Sequence, residues 1–72
     1  MRSDLVERAS EVVPDAPILI NMVSQRVRQL NNGRPALVQV MTRMGQADIA
    51  LHEIIQGKIV LSQDGGVEET SE

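Results

Sequence analysis

The sequence predicts an all-α fold, a small domain with helices at residues 3–13, 15–32 and 46–57. Apolar residues recur at helical spacing in all three segments, and start and stop signals bound each of them. A chain of 72 residues forms one domain at most. Because it contains no cysteine and no aromatic residue, its core must consist of aliphatic side chains and methionine.

The first predicted helix, residues 3–13, begins at Ser3 or Asp4. Asp4 and Glu7 have the spacing of a capping box, and Pro14 disfavours helical backbone at the residue before it. A helix of about three turns does not persist alone in water, so we expect it to pack on the second helix. Its predicted apolar face consists of Leu5, Val6, Ala9, Val12 and Val13.

The second helix, residues 15–32, has the clearest boundaries. Asp15 can accept hydrogen bonds from the first free amides, and Pro17 lies in the first turn, where a missing N–H has no cost. Gly33 tolerates the left-handed exit, and Pro35 prevents the helix from resuming. At about 100° per residue, one stripe contains the residues predicted to face the core: Leu19, Ile20, Val23, Val27 and Leu30.

Two further apolar residues of this helix, Ile18 and Met22, fall outside that stripe. We therefore predict that they contact a second surface, although scattered exposed apolar residues are common in proteins.

The connection that follows, residues 33–45, is rich in β-favouring residues around Leu37, Val38 and Val40. We predict a long extended connection, of the kind that often serves as a binding loop. The alternative is a strand that is added to the sheet edge of a partner.

In the third helix, residues 46–57, Ala50, Leu51 and Ile54 share an apolar face with Ile55. Ile49 falls on the opposite side, among Asp48, His52 and Gln56, and is predicted to point away from the core. Gly57 suits the residue just after the helix.

Residues 62–72 are acidic and rich in Gly, Ser and Thr, a composition that predicts a disordered tail. The expected division is therefore a helical domain at residues 1–61 and a disordered acidic tail at 62–72. Ile59–Leu61 forms a last apolar cluster before the tail.

Catalysis is not expected from this sequence. It contains no cysteine nucleophile and no glycine-rich phosphate loop. Its only histidine, His52, lies beside Glu53, but adjacent residues on a helix do not face each other. We therefore expect no catalytic residue, no metal and no cofactor. No apolar run is long enough to span a membrane or form a signal peptide, so a cytoplasmic location is expected.

Nucleic-acid binding is also disfavoured. Arg26 and Arg28 lie about 200° apart around the second helix, and therefore do not form one basic stripe with Arg34. We expect these arginines to make polar contacts with protein, and expect no direct sequence-specific binding to nucleic acid.

Two motifs in order carry a family resemblance. The first is R-V-R-Q-L at residues 26–30, followed by G-R-P at 33–35. The second is A-L-H-E-I at 50–54, followed by G-K-I at 57–59. Over residues 15–60 the chain resembles the omega subunit of bacterial DNA-directed RNA polymerase. The resemblance implies a mostly helical, non-catalytic accessory subunit in transcription that clasps the largest (beta-prime) subunit and promotes its folding and assembly into the core enzyme.

The resemblance also implies partner contacts. Together with the outward apolar residues, the predicted partner-binding set is Ile18, Met22, Arg26, Arg28, Gln29, Leu30, Pro35, Ile49, Leu51, Glu53 and Ile54. In family members that bind the alarmone guanosine tetraphosphate, the extreme N-terminus supplies the contacts. Arg2 is the candidate effector-binding residue here, but Asp4 would repel a phosphate, so alarmone binding is doubtful.

The alternative hypothesis is a small helical homodimeric regulator, antitoxin-like or DNA-binding, in which the outward apolar residues form the dimer seam. It predicts concentration-dependent dimerisation and salt-sensitive DNA binding.

Overall fold

A computed structural model describes residues 3–39 and 44–70, with the side chain of Ser3 left out. Three helices are followed by two short strands. The elements are α1 (Ser3–Val12), α2 (Ala16–Asn31), α3 (Gln46–Ile55), β1 (Ile59–Leu61) and β2 (Val67–Glu69). The helices lie close to their predicted positions, but the all-α prediction is wrong because the two strands pair as an antiparallel hairpin.

Helix α2 begins and ends where the sequence predicted. The Asp15 side chain accepts a hydrogen bond from the Ile18 N–H at 3.1 Å. At the other end Gly33 adopts φ 103°, a left-handed conformation that glycine takes without steric cost. There the Arg34 N–H donates to the Gln29 carbonyl and the Gly33 N–H donates to the Leu30 carbonyl. This pattern is a Schellman motif, which satisfies carbonyls at the helix end.

Helix α3 ends in the same motif, and the motif directs the chain into β1. Gly57 is left-handed at φ 71°. The Lys58 N–H donates to the Glu53 carbonyl at 2.8 Å, and the Gly57 N–H donates to the Ile54 carbonyl at 3.1 Å. Two residues later β1 begins at Ile59.

The turn and second strand of the hairpin lie in the segment that was predicted to be disordered. Its strands pair Ile59 with Glu69, Val60 with Glu68, and Leu61 with Val67. The disordered-tail prediction is therefore wrong for residues 62–70. Composition pointed to disorder, whereas the burial of Val67, which is only 5 % exposed, anchors β2 in the core.

The hairpin turn is built around Asp64 and Gly65. The Asp64 carboxylate accepts hydrogen bonds from the Ser62 hydroxyl and from the Gly66 N–H. These bonds to the charged form lower the pKa of Asp64 below its ordinary value. Gly65 supplies the left-handed residue at φ 88°. An Asp-Gly pair between two apolar runs is a recognised hairpin signal, and it could have predicted this turn from the sequence.

Helix α3, and not α2, occupies the centre of the fold. It packs against both α1 and α2, whereas α1 and α2 contact each other much less. The expectation that α1 packs on α2 is therefore wrong, because α1 packs mainly on α3. The hydrophobic core combines residues of every element: Leu5, Ala9, Leu19, Met22, Val23, Ala50, Leu51, Ile54, Ile59 and Val67.

Two residues predicted to point outward lie inside. Met22 is 2 % exposed and Ile49 is also buried, while Ile20, which was assigned to the core stripe, is 66 % exposed. The buried face of α2 is rotated by about 60° from the predicted stripe. Arg26, near the middle of this face, is fully buried, although the predicted core stripe did not include it.

The connection between α2 and α3 contains no helix or strand at residues 33–39, and residues 40–43 lie outside the described part of the chain. Leu37 packs against the core. The alternative, a strand around Leu37, Val38 and Val40 that is added to a partner's sheet edge, extends into residues outside the described part of the chain.

Candidate functional site

The predicted partner-binding residues divide into a buried group and a surface group. Ile18, Arg28 and Pro35 are exposed, and Gln29 and Leu30 are half-buried. The others are buried within the chain's own fold, where they are not available to a partner in this structure: Met22, Arg26, Ile49, Leu51, Glu53 and Ile54. Arg2, the candidate effector contact, lies outside the described residues.

At the centre of the buried group is an ion pair between α2 and α3. Arg26 Nε lies 2.8 Å from Glu53 Oε1, and Arg26 Nη2 lies 2.9 Å from Glu53 Oε2. Both side chains are 0 % exposed. Two parallel bonds from a guanidinium to a carboxylate give both attraction and fixed geometry.

The two side chains of the pair also form hydrogen bonds with the segments around them. Arg26 Nη1 donates to Gln29 Oε1 at 2.9 Å and to Glu69 Oε2 at 3.3 Å. Arg26 Nη2 donates to the Pro35 carbonyl at 3.3 Å, and Glu53 Oε2 accepts from the Leu37 N–H at 2.9 Å. The pair thus joins α2, α3, the connection and β2.

This arrangement explains why two charges can be buried in so small a protein. Removing a charge from water is costly unless its partner and hydrogen bonds compensate for the lost hydration. Hydrogen bonding to the Glu53 carboxylate raises the pKa of Arg26, with Glu69 adding to the effect. In the described part of the chain, no buried side-chain polar atom lacks a hydrogen-bond partner.

The structure thereby brings together Arg26, Gln29, Pro35 and Glu53, four of the residues singled out by the resemblance. Their contacts are internal, so the motif residues shape the subunit itself. The prediction of partner contacts for these four residues came from the family resemblance, which does not separate contacts within the subunit from contacts with a partner. The oppositely charged residues on α2 and α3 were the signal for a pair, but their facing geometry depends on how the helices pack.

A separate surface is open to a partner. A groove of about 110 Å³ is lined by Val6, Leu19, Ile20, Val23, Ser24 and Leu51. We call it the α1–α2 groove. No charged residue lines it, and Ser24 contributes its only polar side chain. Sequence reasoning missed this groove because it placed Ile20 in the core.

Comparison with known proteins identifies the family. The chain is 40 % identical over 68 residues to the DNA-directed RNA polymerase subunit omega of Sulfurovum sp. (strain NBC37-1). The alignment covers 90 % of this chain and the whole of that relative. This chain belongs to the RNA polymerase omega subunit family. The resemblance drawn from the two motifs is thereby confirmed.

The family membership defines the chain as an accessory subunit of RNA polymerase that is not catalytic by itself. The chain therefore takes part in transcription, as a subunit of DNA-directed RNA polymerase. No family model and no solved structure matches the chain significantly. Within residues 3–39 and 44–70, none of the helices has the length and apolar character needed to cross a membrane.

Proposed function

We propose that this omega-family chain binds the largest (beta-prime) subunit of RNA polymerase and promotes its folding and assembly into the core enzyme. The observation that carries the proposal is the α1–α2 groove, which remains open and free of charge after the chain has folded. Such a site would act in the cytoplasm, where the polymerase assembles.

The groove suits an apolar side chain of the partner. Ile20 stands at its rim with two thirds of its surface exposed, while Leu51 beneath it is fully buried. Covering Ile20 contributes about 1–2 kcal/mol, since full burial of such a side chain is worth about 1.5–3 kcal/mol. Because the groove is already formed in the folded chain, the ordering cost of binding is limited.

The surface members of the predicted contact set remain part of this proposal. Ile18 and Pro35 are exposed apolar residues, and Arg28 is an exposed cation on α2. They lie at the periphery of the fold and are available to the same partner, whereas the buried motif residues act by holding the subunit together.

The test is binding of the tagged full-length chain to purified beta-prime subunit, with Ile20→Asp as the variant. Asn21→Asp is the matched control, since it adds the same side chain at the neighbouring exposed position of α2. We expect Ile20→Asp to weaken binding about tenfold or more, because a carboxylate would be desolvated in an apolar contact. Both variants should melt like the wild type.

Two results would count against the proposal. Failure of the wild-type chain to retain beta-prime would reject the binding function, and equal binding by Ile20→Asp would reject the groove as its site.

The assembly role is measured by refolding denatured beta-prime with and without the chain. A yield of soluble core enzyme that does not rise when the chain is present would contradict that role.

A further inference from the structure

We infer that the outer edge of β1 pairs with an extended, basic segment of the same polymerase partner, so that the hairpin becomes a three-stranded sheet. This inference rests on the proposed function and concerns a different surface from the α1–α2 groove. It follows from the hydrogen bonding of the hairpin, from what covers each of its edges, and from its charge.

The ladder determines which backbone groups face outward. The Ser62 N–H donates to the Gly66 carbonyl at 2.7 Å, and the Thr70 N–H donates to the Lys58 carbonyl at 2.9 Å. In an antiparallel ladder the residues between such pairs direct their backbone groups away from the partner strand. Leu61 on β1 and Val67 on β2 are in this position.

Helix α2 already covers the outer edge of β2. Gln29 Nε2 donates to the Val67 carbonyl at 3.0 Å. One helical turn earlier, Gln25 Nε2 donates to the Gly65 carbonyl at 2.7 Å. These two glutamines satisfy the carbonyls that a further strand would need, so β2 is closed to strand addition.

The outer edge of β1 is open at Leu61. No described residue bonds to the Leu61 N–H or carbonyl. Val60 and Leu61 are 45 % and 38 % exposed, and no charge or proline lies between Ile59 and Gln63. Exposed edge strands are normally protected by shortness, charged residues or proline. Strand β1 is short, at three residues, but it carries neither a charge nor a proline, so its edge can still pair with another chain.

The negative charge around this edge favours a basic segment as the partner. Val60 and Leu61 line a shallow depression together with Asp64 and Glu68. Neither carboxylate pairs with a cation among the described residues, whereas Glu69 binds Arg26 and Arg34 on the other side of the hairpin. Two copies joined through β1 would bring like charges together, which is unfavourable. A segment with alternating apolar and basic residues complements both features.

The experiment measures the affinity of the full-length chain for purified beta-prime subunit. Leu61→Pro removes the outward N–H without removing a ladder hydrogen bond, since proline is tolerated at sheet edges. Glu68→Lys reverses the charge beside the edge. Glu11→Lys is its matched control, because Glu11 is an exposed residue of α1. Circular dichroism first establishes whether each variant is folded.

We expect Leu61→Pro to weaken binding about tenfold, the loss of roughly one well-formed hydrogen bond and its neighbouring contacts. Reversing Glu68 should weaken it about fivefold at low salt, with the difference shrinking as ionic strength rises. Glu11→Lys should bind like the wild type. If Leu61→Pro fails to fold, hydrogen exchange decides: the wild-type Leu61 amide should become protected in the complex.

If Leu61→Pro and Glu68→Lys both bind beta-prime with wild-type affinity while Ile20→Asp is still defective, β1 does not pair with the partner. The proposed function would remain intact. An unprotected Leu61 amide in the complex would equally overturn the pairing of β1. Loss of binding in the wild type itself would reject the proposed function. A concentration-dependent dimer of the free chain that Leu61→Pro abolishes would assign the edge to a second copy.

Discussion

At the scale of single residues, Arg26 links α2 to α3, to β2 and to the connection between the helices. Its guanidinium binds Glu53, Gln29, Glu69 and the Pro35 carbonyl. Residues that are distant in sequence therefore depend on one side chain. An arginine of this kind is recognisable in sequence only as a charge, because its burial depends on a carboxylate that arrives from another helix.

Replacing Arg26 with methionine tests this role. Met22 and Leu19 show that the same face accepts apolar side chains, but the change leaves the Glu53 charge buried without its partner. We expect a loss of about 3–5 kcal/mol in the free energy of unfolding, as for other broken buried pairs. Urea denaturation followed by circular dichroism measures it.

Arg28→Met is the control, since Arg28 is an exposed arginine on the same helix. A change of less than about 0.5 kcal/mol is expected there, as for surface substitutions generally. Equal unfolding midpoints for Arg26→Met and the wild type would contradict the structural role of the pair.

At the scale of elements, the orientation of α2 depends on α3. Helix α3 buries more than half of its circumference because it lies between α1 and α2. Its buried face includes Glu53, so α2 must turn Arg26 inward to meet it. That rotation carries Met22 into the core and leaves Ile20 at the rim of the groove.

The rotation predicts opposite outcomes for two aspartate substitutions. Met22→Asp places a carboxylate in the core and should unfold much of the chain, since burying an unpaired charge is among the most destabilising changes known. Ile20→Asp should leave the fold intact. Thermal melts of the two variants make the comparison. Similar melting temperatures would contradict the rotation, and a lower melting temperature for Ile20→Asp than for Met22→Asp would show that the buried face is the stripe predicted from hydrophobic periodicity.

At the scale of the whole molecule, the hairpin completes a core that the helices alone leave small. Val67 and Ile59 join the helical residues in one cluster, and α2 holds β2 through Gln29. A chain without disulfides or aromatic residues has few other means to enlarge its core. The acidic segment therefore contributes to folding as well as to surface charge.

Removing residues 62–72 tests that contribution. Loss of Val67 forfeits about 1.5–3 kcal/mol of burial, apart from the hydrogen bonds to β2. For a domain of this size we expect the melting temperature to fall by roughly 6–24 °C. Glu68→Gln in the full-length chain is the control for lost charge, since it removes one of the segment's acidic charges at an exposed residue outside the turn. An unchanged melt of the truncated chain would mean that the hairpin adds nothing to stability.

The three helices and the family can be predicted from the sequence alone. Asp15, Gly33 and Gly57 mark helix boundaries through local backbone chemistry, which acts within a few residues and can be read without a partner segment. The two motifs, in their order along the chain, were sufficient to indicate the omega family. The Asp64-Gly65 turn has an equally local signal, but the acidic composition around it pointed to disorder instead.

The buried helix faces and the open surfaces depend on contacts between segments that are far apart in the chain. Periodicity assumes that charge lies outside and apolar residues inside, and Arg26 with Glu53 reverses this assumption by neutralising each other across two helices. Such a pair depends on the packing of residues 27 positions apart. The open groove at Ile20 follows from the rotation of α2, and the edge of β1 is the open one because α2 covers β2. Both depend on contacts between distant segments and therefore had no local signal in the sequence.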